Sequence, residues 1–384
     1  MRHVYLDHAA TTPVHPEVLE AMVQYLGEHF GNASSGHRWG RRAREGVDIA
    51  REQVADLVGA RPDEIVFTSG GTEADNLALR GCLLAMRGKR GGLVTAAAEH
   101  HAVLETAEEL ERAGHDVTIL GVDEWACVDP EAVRGAVGAD TALVSVMLAN
   151  NEVGTIQPVA EIAEVAHQAG AFMHTDAVQA AGGMAVDVAE LGVDLLSLSA
   201  HKIYGPKGVG ALYVRRGTRL APIVTGGEQE LGRRGGTENV AGIVGMGKAC
   251  ELMKQSLPQE SQHLAKLRDR LRDGLLERVP KARFNGHPER RLPNNAHFLF
   301  PGALGETVVV ALDEQGVAAS SGSACATGST EASHVLTAMG VPRDQAHDSL
   351  RLSVGRATTA EDIEYVLEVL PPIVERVRQA VGRS

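Results

Sequence analysis

Short apolar runs alternate with amphipathic stretches between about residues 64 and 215. Such runs are typical of strands covered on both faces, and apolar positions three and four residues apart are typical of helices. The pattern predicts strands at 64–68, 93–97, 117–121, 142–147, 172–175, 195–199 and 210–214. It predicts helices between them at 73–86, 102–113, 130–137 and 160–168. This order predicts a doubly wound α/β domain with a mostly parallel sheet.

The pattern changes in the last third of the chain. One long helical stretch covers 243–279 and is expected to be interrupted at Pro258, because proline cannot donate a helical hydrogen bond. Strands follow at 295–300, 317–320 and 349–354, with a helix at 306–315. Thr359 is the expected N-cap of a final helix. We therefore expect a large domain over 14–255 and a smaller α/β domain built from 1–13 and 256–384.

The composition narrows the functions open to the chain. Apolar residues make up 44% and charged residues 23% of the 384 residues, as in a soluble globular protein with a sizeable core. A net charge of -13 argues against binding to nucleic acid or to anionic membranes, which favour basic surfaces. The sequence shows no signal peptide and no membrane-spanning run, so a cytoplasmic location is expected.

Four cysteines are too few and too scattered for a disulfide framework, and no zinc-binding spacing accompanies them. Cys82 and Cys250 fall in apolar helical patterns, so we interpret both as structural. Nothing marks Cys127. Cys325 differs, because small and polar residues surround it in a segment rich in Gly, Ser and Ala. Metal binding is therefore not expected, and Cys325 is the one candidate for a reactive thiol.

Polar residues follow several predicted strands at the carboxyl ends where open α/β sheets bind ligands. Lys202, Asp176 and His100 each come shortly after a strand. The turn 69–72 joins a strand to a helix, whose first amides attract phosphate. A lysine, an acid and an anion-binding turn are what a pyridoxal phosphate site requires. Each also has a structural alternative taken singly: a surface lysine, a capping aspartate, a plain turn or a structural histidine.

The order and spacing of several motifs are more specific than any one residue. These motifs are FGNASS (30–35), FTSGGTEADN (67–76), ANNEVG (149–154), HTDAVQ (174–179), SAHKIYGPKG (199–208), GRRGGTEN (232–239) and SSGSAC (320–325). With them, nearly the whole chain resembles a cysteine desulfurase of the NifS/IscS group, in the class V aminotransferase superfamily. The resemblance implies the fold-type I architecture of pyridoxal phosphate enzymes, with a large mostly parallel sheet domain and a smaller C-terminal α/β domain.

The resemblance also implies how the cofactor is bound. Lys202 is expected to form an imine with the cofactor aldehyde, and Asp176 to pair with the pyridine nitrogen. His100 is expected to stack on the ring and to act as general acid–base, and Gln179 to contact the ring oxygen. The residues implied around the phosphate are Gly71, Thr72, Ser199 and His201, together with Thr237 of a neighbouring subunit in a homodimer.

Further residues are implied for the substrate. Asn32, Asn151 and Arg351 are expected to face it, with Arg351 pairing with its carboxylate through two hydrogen bonds. Arg356 is the second choice for that pairing, although a structural ion pair is the better interpretation of it. Cys325 is the expected nucleophile that takes up the sulfur, which requires a thiolate at the moment of attack.

Two features depart from the family pattern. Glu228 stands in the segment before GRRGGTEN where relatives often have histidine. The chain also ends soon after its last predicted helix, without the longer extension through which some relatives bind a scaffold protein. The identity of the sulfur acceptor therefore stays open among an iron–sulfur scaffold, a tRNA-thiolation protein and another carrier.

The sequence favours conversion of L-cysteine to L-alanine with transfer of sulfur to Cys325. A selenocysteine lyase or a class V transaminase would use the same fold, but a transaminase needs no cysteine at this position. A non-catalytic assembly subunit is the alternative of a different class. The presence of Lys202, Asp176 and Cys325 together argues against it.

Overall fold

The computed structural model describes residues 2–321 and 332–382. Its strands are β1 (Val4–Tyr5), β2 (Ile65–Thr68), β3 (Gly92–Ala96), β4 (Val117–Leu120), β5 (Thr141–Ser145), β6 (Phe172–Asp176), β7 (Leu195–Ser199), β8 (Gly210–Val214), β9 (Arg283–Asn285), β10 (Asn295–Leu299), β11 (Val317–Ala318) and β12 (Ser349–Ser353). Its α-helices are α1 (Pro16–Leu26), α2 (Arg38–Val58), α3 (Gly71–Ala85), α4 (His101–Arg112), α5 (Pro130–Ala136), α6 (Val159–Gln168), α7 (Val188–Leu191), α8 (Val240–Arg278), α9 (Gly305–Asp313), α10 (His334–Ala338), α11 (Arg343–Ala346) and α12 (Ala360–Val381).

The main sheet has seven strands in the order β2-β8-β7-β6-β5-β3-β4. Strands β7, β6, β5, β3 and β4 are parallel to their neighbours in that run, and β8 lies antiparallel between β7 and β2. The predicted mostly parallel α/β sheet is confirmed. Because parallel strands end at the same edge, the residues that follow β3, β5, β6 and β7 are brought together there.

Helices cover both faces of this sheet. Successive side chains of β5 point to opposite faces of the sheet. Leu143 packs into the core beneath α3 and α4, and Val144 packs into the core on the other face. Ile162 of α6 belongs to the second core, as does Met246 of α8. Both faces are therefore apolar, which explains why the strands appear in the sequence as continuous apolar runs.

The last third of the chain forms a three-stranded antiparallel sheet in the order β12-β10-β9, beside a parallel pair of β1 with β11. Leu271, Phe298, Leu350 and Ile363 belong to a separate hydrophobic core there. Thr359 is the N-cap of α12, and a reciprocal capping box with Asp362 confirms the predicted start of that helix. The expected domain boundary at residue 256 falls within α8 and stays a prediction.

The expected interruption at Pro258 is wrong, because α8 continues through it. A helical proline leaves the carbonyl four residues earlier without its amide donor. That residue is Lys254, and both Lys254 and Pro258 are exposed. Water can therefore satisfy the carbonyl, and the helix continues without losing a buried hydrogen bond.

No helix within the described residues is long and apolar enough to cross a membrane.

Close backbone packing positions the turn that precedes α3. A Cβ atom at Gly210 of β8 would lie 2.6 Å from the carbonyl carbon of Gly70 and 2.6 Å from the carbonyl oxygen of Leu198. Gly210→Ala is therefore expected to lower the free energy of unfolding by about 1–3 kcal/mol. Chemical denaturation measures the loss. Gly121→Ala is the control, because a Cβ there meets no atom within 4 Å; equal stability of the two variants would contradict the prediction.

Candidate active site

A cleft of about 290 Å³ lies at the edge of the main sheet where the parallel strands end. Its lining consists of Ala9, Ala10, Gly71, Thr72, Asp75, His100, Met147, Asn151, Asp176, Val178, Gln179, Ser199, His201, Lys202 and Arg351. The sequence predicted ten of these as site residues: Gly71, Thr72, His100, Asn151, Asp176, Gln179, Ser199, His201, Lys202 and Arg351. These ten residues span 280 positions of the chain, from Gly71 to Arg351.

Lys202 ends a short 3-10 turn that directly follows β7. Its ammonium nitrogen Nζ donates to the carbonyl oxygens of Ala9 at 2.5 Å and Ala10 at 2.8 Å. Gln179 Nε2 also donates to the Ala9 oxygen, at 2.9 Å. The N-terminal segment therefore forms one wall of the cleft and holds the lysine amine at a defined position.

Asp176 is the last residue of β6, and its side chain is buried in the cleft. Burial raises the pKa of its carboxyl group to about 6, whereas the Val178 amide and the Lys202 charge act in the opposite direction. Val178 N donates to Asp176 Oδ1 at 2.8 Å. A buried carboxylate of this kind is suited to pair with a cation brought in by a ligand, such as a protonated ring nitrogen.

His100 is the N-cap of α4, and its Nδ1 accepts a hydrogen bond from the Ala102 amide at 3.1 Å. Burial, followed by the nearby charge of Lys202, lowers the pKa of this imidazole to about 4. The ring is therefore neutral near pH 7, and because Nδ1 accepts, its proton lies on Nε2. A neutral imidazole with this tautomer can stack on a flat ligand and donate a hydrogen bond from Nε2.

The start of α3 provides an anion-binding surface. Gly71 and Thr72 begin this helix, whose first amides have no partner within the helix. A Cβ at Gly71 would lie 2.8 Å from Val178 Cγ2 and 3.5 Å from Ser199 Cβ, so a larger residue would fill the space. His201 Nδ1 lies 3.2 Å from Thr11 Oγ1 on the same side of the cleft. These features fit the phosphate of the cofactor expected from the sequence.

Arg351 lies in the middle of β12 and is 1% exposed. Its Nη1 donates to the Asn151 carbonyl at 2.8 Å, and its Nη2 pairs with Asp7 Oδ1 at 3.0 Å. Its Nε is buried without a hydrogen-bond partner among the described residues. A buried guanidinium that lines the cleft and keeps an unsatisfied donor is suited to bind a substrate carboxylate.

Other predicted residues lie elsewhere. Asn32 is exposed, and its Oδ1 accepts from the Ser34 amide at 2.8 Å. Thr237 lines a separate depression beside Arg234 and Asn239. Neither residue contributes to the cleft within one chain, so their expected roles stay predictions. Cys325 lies outside the described residues.

Arg356 and Glu228 are also outside the cleft lining. Arg356 donates from Nε and Nη2 to Glu260 Oε2 at 2.9 and 2.6 Å, and its guanidinium covers the Tyr204 ring. The preferred interpretation of Arg356 as a structural ion pair is confirmed. Glu228 lines a groove of about 790 Å³ that also includes Arg44 and Arg51.

Two buried acids and one buried histidine near Asp176 were not predicted. Asp75 of α3 lines the cleft, and burial, together with the charges of Asp176 and Glu99, holds its pKa well above the usual range. Burial likewise raises the pKa of Glu99, whose Oε1 accepts from the Met147 amide at 2.7 Å. His174 lies between Ser145 Oγ at 2.8 Å and Ser197 Oγ at 3.0 Å. A polar residue on an otherwise apolar helix face was the available signal for Asp75.

The described cysteines are unsuited to nucleophilic chemistry. Cys82, Cys127 and Cys250 are all buried. Burial raises the pKa of the Cys82 thiol to about 12 and raises that of Cys250 still further. The structural interpretation of Cys82 and Cys250 fits these environments, because a buried thiol that keeps its proton is a poor nucleophile.

Known proteins similar to this chain fall in one family. The family profile described as Aminotransferase class-V matches residues 4–366. The cysteine desulfurase IscS of Methanosarcina thermophila is 51% identical over 375 residues, which cover 98% of this chain and 93% of that protein. The cysteine desulfurase IscS of Dictyoglomus turgidum is 50% identical over 377 residues, covering 98% of this chain and 96% of that protein.

Solved structures share the fold at similar coverage. A NifS-like protein superimposes with a TM-score of 0.92 at 38% identity, covering 98% of this chain and 100% of that one. SspA in complex with cysteine gives a TM-score of 0.81 at 36% identity, covering 91% of this chain and 98% of that one.

His174 generates a pH prediction. Burial lowers its pKa to about 3, below the usual value of 6.5 for an exposed histidine. The unfolded chain therefore binds more protons between these pH values, and stability falls as the pH falls from 6.5 towards 3. His174→Gln removes this effect, so its stability deficit relative to the wild type should shrink by about 2 kcal/mol between pH 7 and pH 5.

Denaturant titrations at the two pH values measure that difference. His263→Gln, at an exposed position, is the control for loss of a histidine. A His174→Gln deficit that is the same at both pH values would contradict the prediction.

Proposed function

The chain belongs to the class V aminotransferase family and is a cysteine desulfurase, and from this premise we propose that it uses pyridoxal phosphate, bound in the cleft, to convert L-cysteine to L-alanine. Cys325 retains the sulfur as a persulfide. The observation that carries the proposal is the convergence of Lys202, Asp176, His100 and Arg351 on one cleft. Membership of this enzyme group sets aside the transaminase and the non-catalytic subunit.

The cleft residues suit each part of the cofactor. Asp176 would hold the protonated ring nitrogen, which is supported by its burial and by its pKa of about 6, since it is ionised at pH 7. The first amides of α3, with Ser199 and His201, would hold the phosphate. Gln179 would contact the ring oxygen, and Lys202 would attach the aldehyde. When bound, pyridoxal phosphate supplies an electron sink for charge at the carbon beside the amino group.

Two side chains would move protons. The Lys202 amine would take the α-proton of the substrate, because its Nζ is held at the cleft wall by the Ala9 and Ala10 carbonyls. His100 would act at the substrate sulfur through Nε2, since its Nδ1 is engaged by the Ala102 amide. Its pKa of about 4 keeps the ring neutral at pH 7, so it would donate a hydrogen bond to the sulfur from Nε2 and would act as a base only through Nδ1, after that atom is released by the Ala102 amide.

Arg351 would bind the substrate carboxylate. Support comes from its unsatisfied buried Nε and from the two contacts that fix its guanidinium, to Asn151 and Asp7. Asn151 lines the cleft beside it and would also face the substrate. SspA, to which this chain is similar, is solved in complex with cysteine, which supports L-cysteine as the substrate here.

The sulfur step involves Cys325. Its thiolate would attack the substrate sulfur, forming an S–S bond while the carbon–sulfur bond of the substrate breaks. The electron pair of that bond stays with the three-carbon product, which takes up protons to become alanine. Cysteine plus the enzyme thiol thus gives alanine plus the enzyme persulfide, and no outside oxidant is needed.

We further propose that the working enzyme is a homodimer and passes sulfur to an acceptor protein for iron–sulfur assembly or a related thiolation pathway. The position of Thr237 outside its own chain's cleft supports a contribution to the phosphate site of a second copy. The IscS relatives support the acceptor role. Loading the enzyme with radiolabelled cysteine and identifying the protein that gains the label would name the acceptor.

Cys325→Ala tests the central proposal. The variant is expected to bind pyridoxal phosphate and to change its absorbance on mixing with L-cysteine, because the cleft residues are intact. It should form no persulfide, and alanine formation should fall by at least about a hundredfold because the nucleophile is absent. Cys127→Ala is the control. Alanine formation at the wild-type rate by Cys325→Ala would contradict the assignment.

Asp176→Asn tests the cofactor site. Loss of the carboxylate should weaken pyridoxal phosphate binding by at least about tenfold, because a buried pair with the ring nitrogen is removed. Absorbance titration of the apoprotein measures the affinity. Asp75→Asn is the matched control, because Asp75 is a second buried acid of the same cleft that has no assigned contact with the ring nitrogen. Equal affinities of both variants would overturn the assigned role of Asp176.

A further inference from the structure

The turn after β5 is held rigid by one asparagine. Asn150 Oδ1 accepts from the amides of Glu152 and Val153, both at 2.9 Å, and Asn150 Nδ2 donates to the Ala98 carbonyl at 2.9 Å. Asn150, Glu152 and Val153 are all buried. The side chain of Glu152 therefore starts from a fixed backbone position.

The Glu152 carboxyl group reaches a different part of the chain. Ser333 Oγ donates to Glu152 Oε2 at 2.5 Å, and both residues are at most 4% exposed. Ser333 is also the N-cap of α10, because its Oγ accepts from the Leu336 amide at 3.1 Å. A hydroxyl has one hydrogen to donate, and here it goes to Glu152. Glu152 thus holds the side chain that caps the start of α10.

The same turn holds Arg351. The Asn151 carbonyl accepts from Arg351 Nη1 at 2.8 Å, and Asn295 Nδ2 donates to the Glu152 carbonyl at 3.0 Å. Arg351 in turn pairs through its backbone with Ser320, with N–O distances of 2.7 and 3.2 Å. Ser320 and Ser333 precede and follow Cys325 in the sequence. Both are therefore attached to a single unit made of Arg351 and the turn 150–153.

An acid at this position is costly for folding. Burial raises the pKa of Glu152 to about 7, against the Ser333 hydroxyl and the charges of Arg351 and His101, which lower it. An apolar side chain of similar size would be buried at lower cost. The hydrogen bond to Ser333 is an interaction that an apolar side chain at this position would not make.

We propose that Glu152 is a positioning residue for sulfur transfer. Through Ser333 it fixes the chain at a point eight residues after Cys325, and through its neighbour Asn151 it holds that point at a constant position relative to the guanidinium of Arg351. The inference rests on the proposed roles of Cys325 and Arg351. It concerns the rate of the sulfur step and leaves binding of the cofactor and of L-cysteine unchanged.

A double-mutant cycle on the holoenzyme tests this proposal. Ser333→Ala and Glu152→Leu should each lower the kcat of alanine formation by at least about tenfold, because a small misplacement of a reacting group is costly. The double variant should lose no more than either single variant, since one hydrogen bond is removed in all three. KM and the absorbance change of the cofactor on mixing with L-cysteine should stay within twofold of the wild type.

Two controls separate positioning from a general loss of stability. Thr337→Ala removes another α10 hydroxyl, whose Oγ1 donates to the Ser333 carbonyl at 2.8 Å and does not reach Glu152; its kcat should match the wild type. Ser333→Thr keeps the hydroxyl and should retain kcat within about threefold. Thermal melting of every variant accompanies the kinetics.

The proposal is overturned if Ser333→Ala keeps the kcat of Thr337→Ala, if the two single losses add in the double variant, or if the absorbance change is lost together with kcat. Cys325→Ala is measured in parallel. If that variant forms alanine at the wild-type rate, the proposed function fails. An inactive Cys325→Ala beside unchanged Ser333→Ala and Glu152→Leu variants contradicts the positioning role alone.

Discussion

Asp176 brings a carboxyl group to a point at the end of β6 where burial raises its pKa to about 6. Near pH 7 that group is ionised, and an ionised buried group needs a nearby positive charge. Lys202 supplies part of it within the chain, and the proposed cofactor supplies the rest through its ring nitrogen. The surroundings of Asp176 fit this requirement: burial raises the pKa values of the neighbouring acids Asp75 and Glu99 and keeps the neighbouring histidines neutral.

The same requirement accounts for the shifted pKa values of the buried groups near Asp176. Burial and mutual repulsion keep the pKa values of Asp75 and Glu99 high, so the negative charge of this cluster is concentrated on Asp176. His174 of β6 lies beside Asp75, and burial lowers its pKa to about 3. Its Nε2 lies 3.7 Å from Asp75 Oδ1, and burial shifts the pKa values of both groups towards their neutral forms. Their contact is therefore a polar packing contact, and a salt bridge would require charges that burial opposes.

A small set of hydrogen bonds connects the main sheet to the C-terminal third of the chain. Arg351 of β12 reaches the cleft because the Asn151 carbonyl and Asp7 hold its guanidinium. The turn that carries Asn151 also carries Glu152 and, through it, Ser333. The turn thus has two separate roles: its Asn151 carbonyl holds Arg351, which would bind the substrate, and its Glu152 carboxyl group holds Ser333. The cofactor residues depend on the sheet.

The sequence alone determined the succession of strands and helices along the chain between about residues 64 and 215, because buried parallel strands and amphipathic helices leave different apolar patterns. Its motifs, through their resemblance to the NifS/IscS group, also identified ten of the fifteen cleft-lining residues. Helices α1 and α2 escaped prediction: α2 buries small residues such as Ala43, Val47 and Ala50 along a strongly charged chain. Only the tertiary structure decided the uninterrupted course of α8, the clustering of Asp75, Glu99 and His174, and the link from Glu152 to Ser333. Those features depend on solvent access and on contacts between distant residues, and neither quantity is present in a local pattern of residues.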